Sequence, residues 1–157
     1  MAREVLRAIR TLLDDGGVAY RVLEHEPTPT SEDSARVRGE PLEIGGKALM
    51  LKVDDVFGLF VLSAARRLDS AAVKARLGAK RMRFATTEEL AELTGLVPGA
   101  VPPFGEPVLS APLYVDTSIA GNDRIAFNAG ALTCSVIMGT ADYVRVARPA
   151  AVFRFST

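Results

Sequence analysis

Apolar residues change their period several times along this chain, and each change marks an element. Val5, Leu6, Ile9, Leu12 and Leu13 recur at three- and four-residue spacing, which predicts an amphipathic helix over residues 3–14, stopped by Gly16-Gly17. Val18, Tyr20 and Val22 then alternate with Ala19, Arg21 and Leu23, the period of a short strand ending near Glu24-His25. Pro27 and Pro29 force an extended link. Thr30 or Ser31 caps a helix running to about Arg38, with Glu32 and Asp33 in its first turn and Gly39 as its stop.

The stretch from Gly45 to Val53 reads as a strand opened by two glycines. Alternation places Lys47, Leu49 and Leu51 on one face and Ala48, Met50 and Lys52 on the other. A lysine sharing a face with two leucines either snorkels from the strand end or reaches past the core into a cleft. Burying an ammonium with no partner costs several kcal/mol, so a lysine held there has a partner or a task. Asp54-Asp55 form a turn, and Val56–Leu62 return as the second strand of a hairpin.

Asp69 caps a further helix that ends at Gly78, Arg81–Ala85 is a short strand, and Thr86 or Thr87 caps a helix closed by Gly95. Four prolines and three glycines between Gly95 and Pro107 exclude a regular element and predict a functional loop. Strands follow at Leu113–Val115, Arg124–Asn128, Leu132–Ile137 and Val152–Phe155. A turn or helix start falls at Asp116–Ser118 and a short helix at Gly139–Tyr143. Hairpin-like pairs dominate, so the pattern predicts one α+β (mixed α/β) domain over residues 1–157, with a twisted, largely antiparallel sheet flanked by helices.

Composition narrows the function classes. Nineteen Lys and Arg balance nineteen Asp and Glu, so no global field draws the chain to nucleic acid or to an anionic membrane. Any RNA contact must be local. The window from Lys74 to Arg83 supplies a patch: Lys74, Arg76, Lys80, Arg81 and Arg83, with no acid among them. It suits a phosphate backbone, or is a solvated face balanced elsewhere. The single cysteine, Cys134, excludes an internal disulfide. No apolar run approaches the roughly 20 residues needed to span a bilayer, and the charged N-terminus lacks a signal-peptide core. A cytoplasmic, reducing setting is expected.

Conventional catalytic motifs are missing. The lone His25 cannot build a histidine-rich zinc site, Cys134 has no neighbouring base, and Ser118 and Ser135 belong to no nucleophile elbow. There is no phosphate loop and no dinucleotide fingerprint, so no cofactor or metal is expected. The loop offers other chemistry: Pro102 and Pro103 lack an N–H, while Gly99, Ala100 and Val101 present amides to a small ligand. Asp116 and Asn128 lie at strand ends, where polar groups either line a cleft mouth or serve turns and caps.

Several segments together resemble a known family. They are His25-Glu26-Pro27, Gly46 through Lys52, Leu68-Asp69, Leu77-Gly78, Arg83-Phe84-Ala85, Glu92 through Gly95, Pro98 through Gly105, Tyr114-Val115-Asp116 and Phe127 through Gly130. In colinear order, over about residues 17 to 147, they are similar to the YbaK / prolyl-tRNA-synthetase-associated editing domain family. The lysine strand followed by the loop from Gly99 to Pro103 is the most specific pair.

The resemblance implies a barrel-like central sheet and a hydrolase that cleaves wrongly attached amino acids from tRNA. It matches Lys47 to the family's essential lysine and Gly99, Ala100, Val101, Pro102 and Pro103 to the pocket-shaping loop. It sets Asp116 and Asn128 at cleft positions; Asn128 stands where some better-known members carry serine or histidine. The implied substrate is the acceptor end of a mischarged tRNA, with Lys74, Lys80, Arg81 and Arg83 as its backbone contacts and an aminoacyl-tRNA synthetase as a second candidate partner. The chemistry is coherent. An aminoacyl ester is already activated, and the family's substrate assists through its own ribose hydroxyl, so a cationic lysine suffices to steady oxyanion charge. Two other classes compete: a non-catalytic module binding a nucleotide, an aminoacyl ester or a protein in the same cleft, and a purely structural interaction protein.

Overall fold

The computed structural model describes residues 2–157. The N-terminal amphipathic pattern forms α1 (Ala2–Asp15), which buries Val5, Ile9 and Leu13. The caps expected from sequence form as well. Thr30 caps α2 (Ser31–Arg38), Asp69 caps α3 (Ser70–Leu77), and Thr86 with Glu89 makes a reciprocal capping box on α4 (Thr87–Thr94). Gly39, Gly78 and Gly95 close these three helices in the left-handed region, where a side chain would be strained.

Lys47 lies on β2 (Gly46–Val53), which forms the expected hairpin with β3 (Val56–Ser63), Lys47 opposite Leu62. β4 (Met82–Phe84) pairs with the far end of β2, at Leu51–Val53. On the other side of β3 comes β5 (Leu113–Asp116), then β8 (Ala151–Phe153), both pairings parallel. β5 reaches β3 only after α3, β4, α4 and the proline-rich loop, a crossover long enough to return in the same direction.

A second sheet has the order β1 (Tyr20–Glu24), β7 (Cys134–Gly139), β6 (Arg124–Asn128), entirely antiparallel. The expected single barrel-like sheet is therefore corrected. Five strands and three strands form two sheets that meet at a bridge between Gly45 and Ala126 and do not close. The edges β4 and β8, three residues each, lie at opposite ends of the larger sheet and do not pair with one another. Mixed α+β architecture and mostly antiparallel pairing hold.

The two glycines ahead of Lys47 have a packing reason. A Cβ at Gly46 would stand 2.8 Å from the Ile125 side chain, and one at Gly45 would stand 3.0 Å from Ala64 Cβ. Bare backbone lets the start of β2 press against β6 and opens the space beside Lys47. Further along, Met50 and Leu51 are buried on opposite faces of β2. Met50 joins the main core with Leu59, Val61, Phe104, Val115 and Phe127, while Leu51 joins Phe60, Leu62, Val73 and Phe155 under α3. The last strand is shorter than expected: Phe155 leaves β8 to become a buried plug, edge-on to Phe60. The short helix after β7 is longer, as α6 (Thr140–Ala147), and a single turn, α5 (Thr117–Ala120), follows β5.

Candidate functional site

A cleft of about 210 Å³ opens where the two sheets meet. Its floor is the start of β2, Gly45 to Leu49; α2 and the Thr28–Ser31 approach form one wall, and Gly99, Val101 and Asn128 form the rim. Lys47 is half-buried in it. Its Nζ donates to the Arg66 carbonyl at 3.0 Å, which anchors the ammonium and leaves its other hydrogens for a ligand. Among the described residues no carboxylate lies within ion-pair distance of it. Burial pulls its pKa below the ordinary lysine value; Glu32 at the start of α2 opposes that shift and Arg67 adds to it.

The loop is held from three sides. Asn128 Nδ2 donates to the Gly99 carbonyl at 2.9 Å, Gly130 N–H to the Ala100 carbonyl at 2.9 Å, and Tyr143 Oη to the Pro103 carbonyl at 2.6 Å. Phe104 packs edge-on against both Phe127 and Tyr143. This explains why so many loop residues are buried: Ala100 through Gly105 sit inside, with the Pro102 carbonyl taken by Phe104 N–H. Only Gly99 and Val101 reach the cleft, while Ala100, Pro102 and Pro103 brace it from behind.

Asp116 lies elsewhere. It is fully buried and accepts from Ser118 N–H at 3.0 Å, Phe155 N–H at 2.6 Å and Ser156 Oγ at 2.6 Å. Burial raises its pKa, but these donors outweigh burial and hold it below the ordinary value. It caps α5 and ties down the C-terminal segment, so of its two sequence readings the geometry matches cap chemistry. Lys74, Lys80, Arg81 and Arg83 also lie away from the cleft, on α3 and the β4 end of β2. Arg83 is paired with Glu89 at 2.7 Å. Lys80 and Arg81 are exposed, each donating its backbone N–H to Asp54.

The cleft contains a second cation that sequence reasoning passed over. Arg38, at the end of α2, donates from Nε to Ser135 Oγ at 2.8 Å and from Nη2 to Asn128 Oδ1 at 3.0 Å. Burial draws its pKa down to about 10, so it stays charged at neutral pH. Locally it looked like a basic residue complementing a helix C-terminus; its partners are 97 and 90 residues away. Ser135 also meets His25 Nε2 at 2.8 Å, and His25 Nδ1 faces the Glu26 carbonyl at 2.8 Å. Both ring nitrogens of His25 are thus engaged within the protein. Cys134 is buried and its thiol pKa is raised, chiefly by burial, as an inert thiol requires. Among the described residues no cluster of His, Cys, Asp and Glu could hold a metal ion, and no helix is long and apolar enough to cross a membrane.

Comparison with known proteins agrees with this geometry. A family model described as an aminoacyl-tRNA editing domain matches residues 25–146. The "Multifunctional Ser/Thr-tRNA deacylase ProXp-y" of Escherichia coli (strain K12) is 40% identical over 144 residues, covering 88% of this chain and 85% of that protein. A proline–tRNA ligase of Shouchella clausii (strain KSM-K16) is 36% identical over 114 residues, 71% of this chain but 20% of the ligase. In three dimensions the chain is similar to a crystal structure of a proposed trans-editing enzyme for prolyl-tRNA synthetase, with TM-score 0.84, 24% identity and coverage of 98% of this chain and 97% of that one.

Proposed function

The chain belongs to the aminoacyl-tRNA editing domain family, and on that premise we propose that residues 1–157 act as one free-standing editing domain, a deacylase that hydrolyses the ester of mischarged tRNA with Lys47 as its catalytic cation. The observation that carries the role of Lys47 is an ammonium with no carboxylate partner among the described residues, anchored by the Arg66 carbonyl and held in a small cleft beneath the Gly99–Val101 rim.

Water adds to the ester carbonyl, and the carbonyl oxygen gains negative charge. The Lys47 ammonium, half-buried in the cleft, steadies that charge more strongly than it could in bulk water. The bond to the ribose oxygen then breaks, the ribose oxygen takes up a proton and the amino acid leaves as its carboxylate. The vicinal ribose hydroxyl relays the proton, which agrees with a cleft whose lining holds no His, Asp or Glu. The small volume favours small side chains, and the Escherichia coli relative supports serine and threonine as the first amino acids to test.

Lys74, Lys80, Arg81 and Arg83 serve in this reading as contacts for the tRNA backbone beyond the acceptor end. The working partner is a synthetase that makes the mischarged product, in keeping with the related segment of a proline–tRNA ligase. The setting is the cytoplasm.

The test is a deacylation panel over tRNAs charged with serine, threonine, alanine and cysteine, run with Lys47→Ala. The variant should keep its fold by circular dichroism and lose roughly 100- to 1,000-fold in rate, the cost of removing one oxyanion donor. Full activity in Lys47→Ala would overturn the mechanism. Turnover of none of the panel by the wild type, with ligand still protecting the cleft in hydrogen exchange, would point to a binding module.

A further inference from the structure

Five arginines on the surface of this protein, Arg36, Arg83, Arg124, Arg145 and Arg154, are paired with carboxylates. Arg38 is desolvated in the cleft, yet among the described residues it has no carboxylate within ion-pair distance. Its hydrogen bonds use one edge of the guanidinium, Nε to Ser135 and Nη2 to Asn128, and both acceptors are neutral. The other edge, formed by Nη1 and the second Nη2 hydrogen, has no acceptor among the described residues. Two parallel N–H donors on a planar cation suit an anion with two oxygens side by side.

The position of that edge limits what it can meet. A Cβ on Gly45 would stand 3.9 Å from Arg38 Nη1, so the guanidinium faces bare backbone at the cleft floor. Arg38 and Lys47 line the same cleft. An aminoacyl ester carries an amine and a carbonyl but no carboxylate. The anion of the substrate nearest its ester is the phosphodiester joining the terminal nucleotide to the one before it.

We propose that the unengaged edge of Arg38 docks this phosphodiester, while Lys47 in the same cleft faces the ester. Arg38 is then a positioning residue: it sets how far the acceptor end enters and leaves carbonyl charge to Lys47. The assignment rests on the deacylase reading, but its binding test needs no amino acid, so the two can fail separately.

The probes are the dinucleotide cytidylyl-adenosine, which contains the phosphodiester, adenosine, which lacks it, and inorganic phosphate, each titrated into the full chain and followed by NMR and calorimetry. Wild type should bind the dinucleotide roughly 10- to 100-fold more tightly than adenosine, as expected for charge-assisted hydrogen bonds. Arg38→Gln should abolish that preference while adenosine binding stays, and Arg38→Lys should retain part of it. With a mischarged tRNA the wild type turns over, Arg38→Gln should raise KM with little change in kcat. The proposal is overturned if wild type binds both nucleoside probes alike, if Arg38→Gln weakens both by the same factor, or if inorganic phosphate competes as well as the dinucleotide. The comparison of probes on wild type stands even if a variant fails to fold.

Discussion

Asn128 is tied at both ends: its Nδ2 donates to the Gly99 carbonyl at 2.9 Å and its Oδ1 accepts from Arg38 Nη2 at 3.0 Å. One buried amide at the end of β6 therefore fixes the loop rim and the α2 wall at a set separation. With both ends occupied, Asn128 sets cleft width through its neighbours rather than by reading a substrate group directly.

Asn128→Ala should accordingly loosen the rim as well as the fold. It leaves the Gly99 carbonyl without its side-chain donor and Arg38 with Ser135 alone as acceptor, at a cost of about 1–3 kcal/mol. Denaturant titration checks the stability, and the deacylation panel checks selectivity. Discrimination among amino acids should narrow by more than the activity on the best substrate falls. Unchanged selectivity would show that the rim does not depend on this link.

The pH profile should report Lys47. The ammonium is the active form, so deacylation above the uncatalysed background should fall as pH rises through a pKa below the ordinary lysine value. Arg67 lowers that pKa and Glu32 raises it. Arg67→Ala should move the alkaline fall to higher pH, and Glu32→Gln to lower pH. Stability runs in the opposite sense. Between the lowered folded value and the unfolded one the unfolded chain binds more protons, so stability rises with pH across that window.

Asp116 separates a structural role from a catalytic one. Asp116→Ala orphans three donors, Ser118 N–H, Phe155 N–H and Ser156 Oγ. Each buried donor left unsatisfied costs about 1–3 kcal/mol. Thermal unfolding should show that loss, while kcat per folded molecule at low temperature stays near wild type. A collapse of kcat in a fully folded variant would return Asp116 to the cleft chemistry.

The basic window calls for a choice of residues. Arg83 holds Glu89, which also completes the α4 capping box, so reversing Arg83 would disturb the fold. Lys80 and Arg81 are exposed, and neither side chain has an ion-pair partner among the described residues. Lys80→Glu with Arg81→Glu should weaken tRNA binding at low salt and flatten the slope of log affinity against log salt by about 2. Unchanged affinity would move the tRNA footprint elsewhere, for example to Arg66 and Arg67 beside Lys47.

Local information in the chain was enough for the helices, their caps, the β2–β3 hairpin and the placing of Lys47 on a strand face. Each depends on neighbours a few residues apart, where periodicity and capping chemistry act. It also marked the Gly95–Pro107 loop as special. It did not reveal that most of the loop faces inward, because that depends on Tyr143 and Phe127 arriving from later elements. The division into two sheets, the inward turn of Asp116 and the recruitment of Arg38 were likewise decided only in three dimensions. Arg38 reaches Ser135 across 97 residues and Asn128 reaches Gly99 across 29. Such bonds form only after burial removes water as the competing partner, and nothing in the local pattern around either residue encodes which distant group takes water's place.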